Sequence, residues 1–349
     1  MSDPWLVLRG ALLRWGGDTR RRYLLDALIR RTGAQAIDSW TPSAVAKAFR
    51  PEWQFWAPDP YLASVELLRQ PALELIRRRA RPVAVDLHDE PIAASTALGM
   101  PPGPEAKDRL RTMWQANLDA FPSLIVPTQA FADFCGLEPA RTIVAANGTD
   151  TRHIRPAPPP TKPLVGLASG AGPGRGIETL IEATRLARHE RPDVSLGLWL
   201  VGTSVASREY LDELRVELAA ETWIELATVP YADLPTALGR AAVLCIPHPA
   251  GAYFDLALPI KLADYMAAGR PVVVTPRTET VKVVRRFESG IVARGDRAED
   301  LAAALLEALA DSEAAARMGA NGRRAAEQHF DWQVIGDTLA DELLARAPG

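Results

Sequence analysis

Two stretches in the second half of this 349-residue chain carry residues that could hold an anion. The first, Gly170-Ala171-Gly172-Pro173-Gly174-Arg175-Gly176, falls between a strand-like run and a helical one. Glycines there, Gly174 among them, let backbone amides approach an anion closely, and the helix start that follows adds partial positive charge. A Walker loop would end in Gly-Lys-Ser/Thr, which Arg175-Gly176-Ile177 does not supply. The dinucleotide fingerprint G-x-G-x-x-G fails too, because its last position counted from Gly170 is Arg175 and no acid ends the next strand at Val201-Gly202. What remains is a diphosphate loop whose charge Arg175 neutralises. The second stretch, Pro259 to Thr275, reads as a helix over 259–268, stopped at Gly269 and followed by a buried strand over 272–275. Its start at Pro259 and Ile260 is a ready anion site. Asp264, just over a turn in, could accept bonds from a sugar's vicinal hydroxyls. An ordinary capped helix accounts for the same residues.

The elements that must position these residues alternate strand and helix along the chain, the pattern of an α/β protein with parallel sheets covered on both faces. In the first half, strands are expected over 5–8, 35–38, 82–87, 123–126 and 142–145, with helices over 19–32, 64–80 and 105–120. Pro156-Ala157-Pro158-Pro159-Pro160 reads as a semi-rigid linker. It sets the expected domains at 1–157 and 158–330, with 331–349 a closing amphipathic helix expected to pack back toward the first domain. The second half restarts with a strand over 164–168 and a helix over 177–189, and carries one long alanine-rich helix from near Ala298.

Composition narrows the partners. A formal net charge of −3 gives no electrostatic argument for nucleic acid. Cys135 and Cys245 form no C-x-x-C pattern, so neither a zinc site nor a disulfide framework is expected. The opening apolar run is broken by Arg9 and Arg14, and no segment approaches the ~20 apolar residues a spanning helix needs. The expected location is cytoplasmic, with at most peripheral contact with the inner membrane face.

The stretch at 259–274 resembles the signature helix of the retaining GT-B glycosyltransferases of family 4 (group 1), whose common form is P-x-K-x-x-E-Y-M-A-x-G-x-P-V-V. Arg175 to Ala183 resembles the same family's K-G-x-x-x-L-I-x-A segment, and Asn147-Gly148-Thr149-Asp150 with Ile154-Arg155-Pro156 resembles the stretch that ends its first domain. The resemblance implies two Rossmann-like domains facing a cleft in GT-B arrangement. It implies a retaining, hexosyltransferase-type transfer from a nucleotide-diphosphate sugar to an acceptor hydroxyl, without a metal or other cofactor. The acceptor would be a small molecule, a glycan or a lipid-linked sugar. Arg175 and Lys261 would stabilise the leaving diphosphate and Asp264 would hold the ribose. Val229 and Pro230 would lie beside the nucleotide base. Two departures stand out: Gly170 replaces a second phosphate-binding Arg, and Leu256 stands where a Glu holds the transferred sugar. Asp255, one residue away, could substitute for that Glu.

In the first half, His88-Asp89-Glu90 follows a strand at the carboxyl end, where open α/β sheets put their ligands. The resemblance places His88 in the cleft as a catalytic-site residue, with Asp89 on the acceptor side. Metal ligation by the trio is weaker, and no D-x-D motif occurs. Gly16-Gly17-Asp18 reads as a loop on the acceptor side before a helix whose Arg20, Arg21 and Arg22 form a solvated face. His248 follows a strand and could point into the cleft. The aromatic run Phe49, Trp53, Phe55, Trp56 and Tyr61 suits an acceptor pocket, a membrane surface or simple packing. Two other functions fit the same architecture: a nucleotide-sugar epimerase, and a non-catalytic nucleotide- or glycan-binding protein.

Overall fold

The structure, a computed structural model, describes residues 5–8, 16–37, 54–57, 81–99, 101–202 and 204–346. The chain divides into two compact units. One takes Met1–Ser95, Pro101–Asn147 and Trp332–Gly349; the other takes Thr96–Met100 and Gly148–Asp331.

The first unit holds a parallel sheet of β1 (Trp5–Leu8), β2 (Gln35–Ile37), β3 (Gln54–Ala57), β4 (Arg81–Asp86), β5 (Ser123–Val126) and β6 (Thr142–Val144). The strand order β2-β1-β3-β4-β5-β6 is the flavodoxin-type order with a further strand. β3 falls inside the aromatic run; Phe49, Trp53 and Tyr61 lie outside the described residues, as does the helix expected over 64–80. The helix Gly16–Thr32 spaces Leu24, Leu25 and Leu28 on one buried face. That face meets Trp332, Ile335, Leu339 and Leu343 of the closing helix Trp332–Arg346, which recur at helical spacing. Tyr23 stacks on Trp332 with centroids 5.7 Å apart, and an added Cβ at Gly336 would sit 2.4 Å from the Ala27 Cβ. The last helix is thus core to the first unit.

The second unit holds β7 (Leu164–Gly170), β8 (Ser195–Val201), β9 (Ile224–Ala227), β10 (Val243–Ile246), β11 (Val272–Val274) and β12 (Gly290–Val292), all parallel. Read from the far edge, β9-β8-β7-β10-β11-β12 is the doubly wound dinucleotide-fold order. Its strand order reverses between β7 and β10, the place where such sheets bind ligands beyond the carboxyl ends of the strands. The apolar runs of β7, β8 and β10 are buried on both faces, as helix-covered parallel strands must be.

Three expectations change here. The proline-rich run lies inside the second unit, where Arg270 Nη2 donates to Ala157 O at 3.1 Å, Pro158 O at 2.8 Å and Gly239 O at 2.6 Å. A guanidinium thus fixes a segment that composition alone presents as a spacer. The alanine-rich helix is two, Ala298–Ala310 and Ser312–Ala325, because Asp311 accepts from Glu313 N at 2.9 Å and Ala314 N at 3.0 Å and starts a new helix. Finally, Arg20 does not share the solvated face with Arg22. It is 1% exposed and paired with Asp86 at the end of β4.

Candidate functional site

The two stretches that open the sequence argument converge at the reversal point between β7 and β10. Gly176 caps the helix Ile177–Glu190 with φ 76°, and a Cβ there would lie 1.7 Å from Pro247 O. Only glycine lets the loop after β7 rest on the backbone that leaves β10. Gly174 is left-handed as well, at φ 72°. Arg175 folds back over its own loop: a Cβ on Gly170 would stand 3.5 Å from the Arg175 Cζ. The space beside Gly170 is therefore covered by the Arg175 guanidinium.

The helix Ile260–Ala267 enters the same place. Pro259 is its N-cap, no side chain caps its first amides, and Gly269 closes it at φ 66°. Lys261 and Tyr265, four residues apart, lie on one face. The Tyr265 hydroxyl accepts from Ala168 N at 2.8 Å and donates to Ala168 O at 3.1 Å, pinning the helix to β7. Lys261 Nζ then donates to Ser169 Oγ at 2.8 Å. Among the described residues no carboxylate lies within ion-pair distance of Lys261. Burial, with Arg175 adding repulsion, pushes its ammonium down to about 7. A desolvated lysine beside a guanidinium is a site built to receive negative charge.

Asp264 is buried, and burial pushes its carboxyl up to about 7 while the neighbouring Thr149 hydroxyl pulls the other way. Asp255 ends elsewhere. Its Oδ1 accepts from Thr278 N at 3.1 Å and stands 3.8 Å from Arg277 Nη1, which commits it to the start of the helix Thr278–Arg286. Val229 and Pro230 precede a short turn, Tyr231–Asp233, whose Tyr231 O meets His153 Nε2 at 2.9 Å. Asp233 makes no capping bond to the helix Leu234–Arg240.

The first unit holds the remaining candidates. His88 Nε2 lies 3.6 Å from Asp89 Oδ2 just after β4. Glu90 instead accepts from Ile92 N at 3.3 Å and Ala93 N at 2.6 Å, capping the helix Pro91–Ala97, so the trio does not act as one set. Gly16 and Gly17 form the first turn of the helix Gly16–Thr32 rather than a loop before it. Among the described residues no helix is long and apolar enough to cross a membrane.

Arg277 was not singled out for chemistry by sequence, whereas His248 was read as able to point into the cleft. Arg277 sits in a turn with no motif, and its burial between Asp255 and Asp296 is a long-range outcome.

Two parallel-sheet α/β units of these strand orders are the GT-B architecture, and solved structures share it over the whole chain. Sucrose-phosphate synthase from Thermosynechococcus elongatus superposes with a TM-score of 0.73 at 16% identity, covering 99% of this chain and 100% of that one. Anabaena HepE, solved in complex with UDP-glucose, gives 0.72 at 19% identity, again over 99% and 100%. Residues 162–311 match the family described as "Glycosyl transferases group 1".

Among curated relatives, the GDP-mannose-dependent monoacylated alpha-(1-6)-phosphatidylinositol monomannoside mannosyltransferase of Corynebacterium glutamicum is 26% identical over 212 residues, 56% of this chain and 54% of that protein. The GDP-mannose-dependent alpha-(1-6)-phosphatidylinositol monomannoside mannosyltransferase of Mycolicibacterium smegmatis is 29% identical over 191 residues, 53% of this chain and 48% of that protein. The chain spans about half the length of the curated relatives it matches.

Proposed function

We propose that this chain transfers a hexosyl unit from a nucleoside-diphosphate sugar to an acceptor hydroxyl with retained anomeric configuration. The observation that carries the reading is Lys261: a desolvated ammonium without a carboxylate among the described residues, set with Arg175 and the open amides of a helix start at the reversal point of the sheet. In this reading the second unit binds the donor and the first, with Gly16, Gly17, His88 and Asp89, serves the acceptor and the sugar hydroxyls. Arg175, Lys261 and the amides after Pro259 and Ile260 stabilise charge that grows on the leaving diphosphate, the contribution such a reaction most needs. A donor phosphate oxygen takes the acceptor's proton. Asp264 holds the ribose hydroxyls, and Val229 and Pro230 flank the base.

The relatives' names favour GDP-mannose as donor and a lipid-linked sugar as acceptor, which would bring a cytoplasmic protein to the inner face of a membrane. Titration calorimetry with GDP, GDP-mannose, UDP and UDP-glucose tests the donor site. One nucleotide pair should bind and raise the melting temperature, since a ligand of the native state stabilises it. Absence of binding by all four overturns the reading. Transfer should also survive excess EDTA; loss restored by magnesium or manganese overturns the metal-independent mechanism.

A further inference from the structure

His248 follows β10 at its carboxyl end, on the residue next to the Pro247 carbonyl against which Gly176 rests. It is 4% exposed, and its Nδ1 is enclosed without a partner. Among the described residues its imidazole makes no hydrogen bond; Thr275 Oγ1 donates only to its backbone oxygen, at 2.6 Å. The ring packs at 36° on Phe254 with centroids 4.6 Å apart. Burial, then Lys261, Arg175 and Arg277, hold its pKa well below the ordinary histidine range, so it is a neutral imidazole beside three cations. Such a ring offers one donor and one acceptor. A buried polar ring left unpaired is costly, and a ligand that pairs it recovers the cost.

The surrounding carboxylates are already committed. Leu256 is apolar, Asp255 is bound to Thr278, and Asp296 Oδ2 accepts from Ala250 N at 2.8 Å. Arg277 stands between them, with Nη1 3.8 Å from Asp255 and Nη2 3.7 Å from Asp296, so both ends of the 250–255 segment are tied down next to His248. A phosphate needs only donors, which Lys261 and Arg175 supply. A neutral imidazole suits a group that both gives and accepts a hydrogen bond, and a sugar hydroxyl does both.

We propose that His248 is a binding residue for the transferred sugar, hydrogen-bonding one of its hydroxyls from the loop that Arg277 clasps. This rests on the nucleotide-sugar reading above. The test compares affinities of wild type, His248→Ala and His248→Asn for GDP against GDP-mannose and for UDP against UDP-glucose, using the pair that wild type binds. His248→Ala should leave nucleoside-diphosphate affinity within twofold and weaken the nucleotide sugar at least tenfold. His248→Asn, which keeps a donor and an acceptor, should recover most of that loss. Melting temperatures within a few degrees of wild type show that the variants fold. Equal weakening of both ligands, or no weakening of the sugar, overturns the inference while leaving the diphosphate site intact. Failure of wild type to bind any of the four ligands overturns the parent reading, and this inference with it.

Discussion

Each unit sets a cation beside its parallel sheet, and the two have opposite surroundings. In the first unit Arg20 is sealed and its charge is answered by Asp86. Its Nε donates to Asp86 Oδ2 at 2.9 Å, its Nη2 to Asp86 Oδ1 at 2.8 Å, and its Nη1 to Ala145 O at 2.7 Å and Ala146 O at 3.0 Å. In the second unit Lys261 has the Ser169 hydroxyl and no carboxylate among the described residues, with Arg175 as a repelling neighbour. A cation paired with a buried carboxylate and backbone carbonyls is a tie between elements, here between the first helix, β4 and the segment after β6. A cation left facing another cation makes no such tie. Charge alone did not separate structure from function; the partner did.

The largest expected effect breaks the first half of the comparison. Arg20→Met leaves Asp86 buried without its partner, a change that costs about 3–5 kcal/mol when one member of a buried pair is removed. Urea unfolding should show that loss, while nucleoside-diphosphate binding to any protein that remains folded should be unaltered. A stability change below about 1 kcal/mol would show that Asp86 finds other partners and that the pair is no tie.

The second half breaks differently. Lys261→Met removes an unpaired, desolvated charge, so the free protein should be no less stable than wild type. Affinity for the diphosphate should fall by roughly 1.5–3 kcal/mol, the worth of a hydrogen bond to a charged group. Calorimetry and unfolding on the same variant measure both. A loss of stability with unchanged affinity would make Lys261 a second Arg20.

What the sequence disclosed follows the same line. The helix Ile260–Ala267 was legible because its proline, its closing glycine and the following apolar strand are local signals. The alternation of strands and helices was legible for the same reason, and it led to the right fold class. Arg20 was not. It stands in a run of three arginines, and what buries it is Asp86, 66 residues away. Asp255 looked available as a sugar ligand because it lies beside Leu256, yet Thr278 claims it across 23 residues. The break at Asp311 carried a local signal, an acid followed by Ser312 and Glu313, that the alanine-rich composition masked. The proline run misled for a related reason: its composition describes a spacer, and the distant Arg270 fixes it to the second unit.

The smallest effect sharpens the contrast without a mutation. Lys261 titrates near 7 in the unliganded protein because burial and Arg175 favour its neutral form. A bound diphosphate favours the ammonium, so the bound pKa must lie higher than the free one. Between the two values, binding takes up a proton, and affinity falls as pH rises. The fall starts at about 7 and flattens once pH passes the bound value. Its steepest slope is one decade per pH unit for a single proton, about 1.4 kcal/mol. Calorimetry at pH 8 in buffers of different ionisation enthalpy would read the proton directly. Lys261→Met should abolish the uptake. Affinity independent of pH between 6.5 and 8.5 in wild type would show that the ammonium stays charged without ligand, and the two cations would then differ in partners alone.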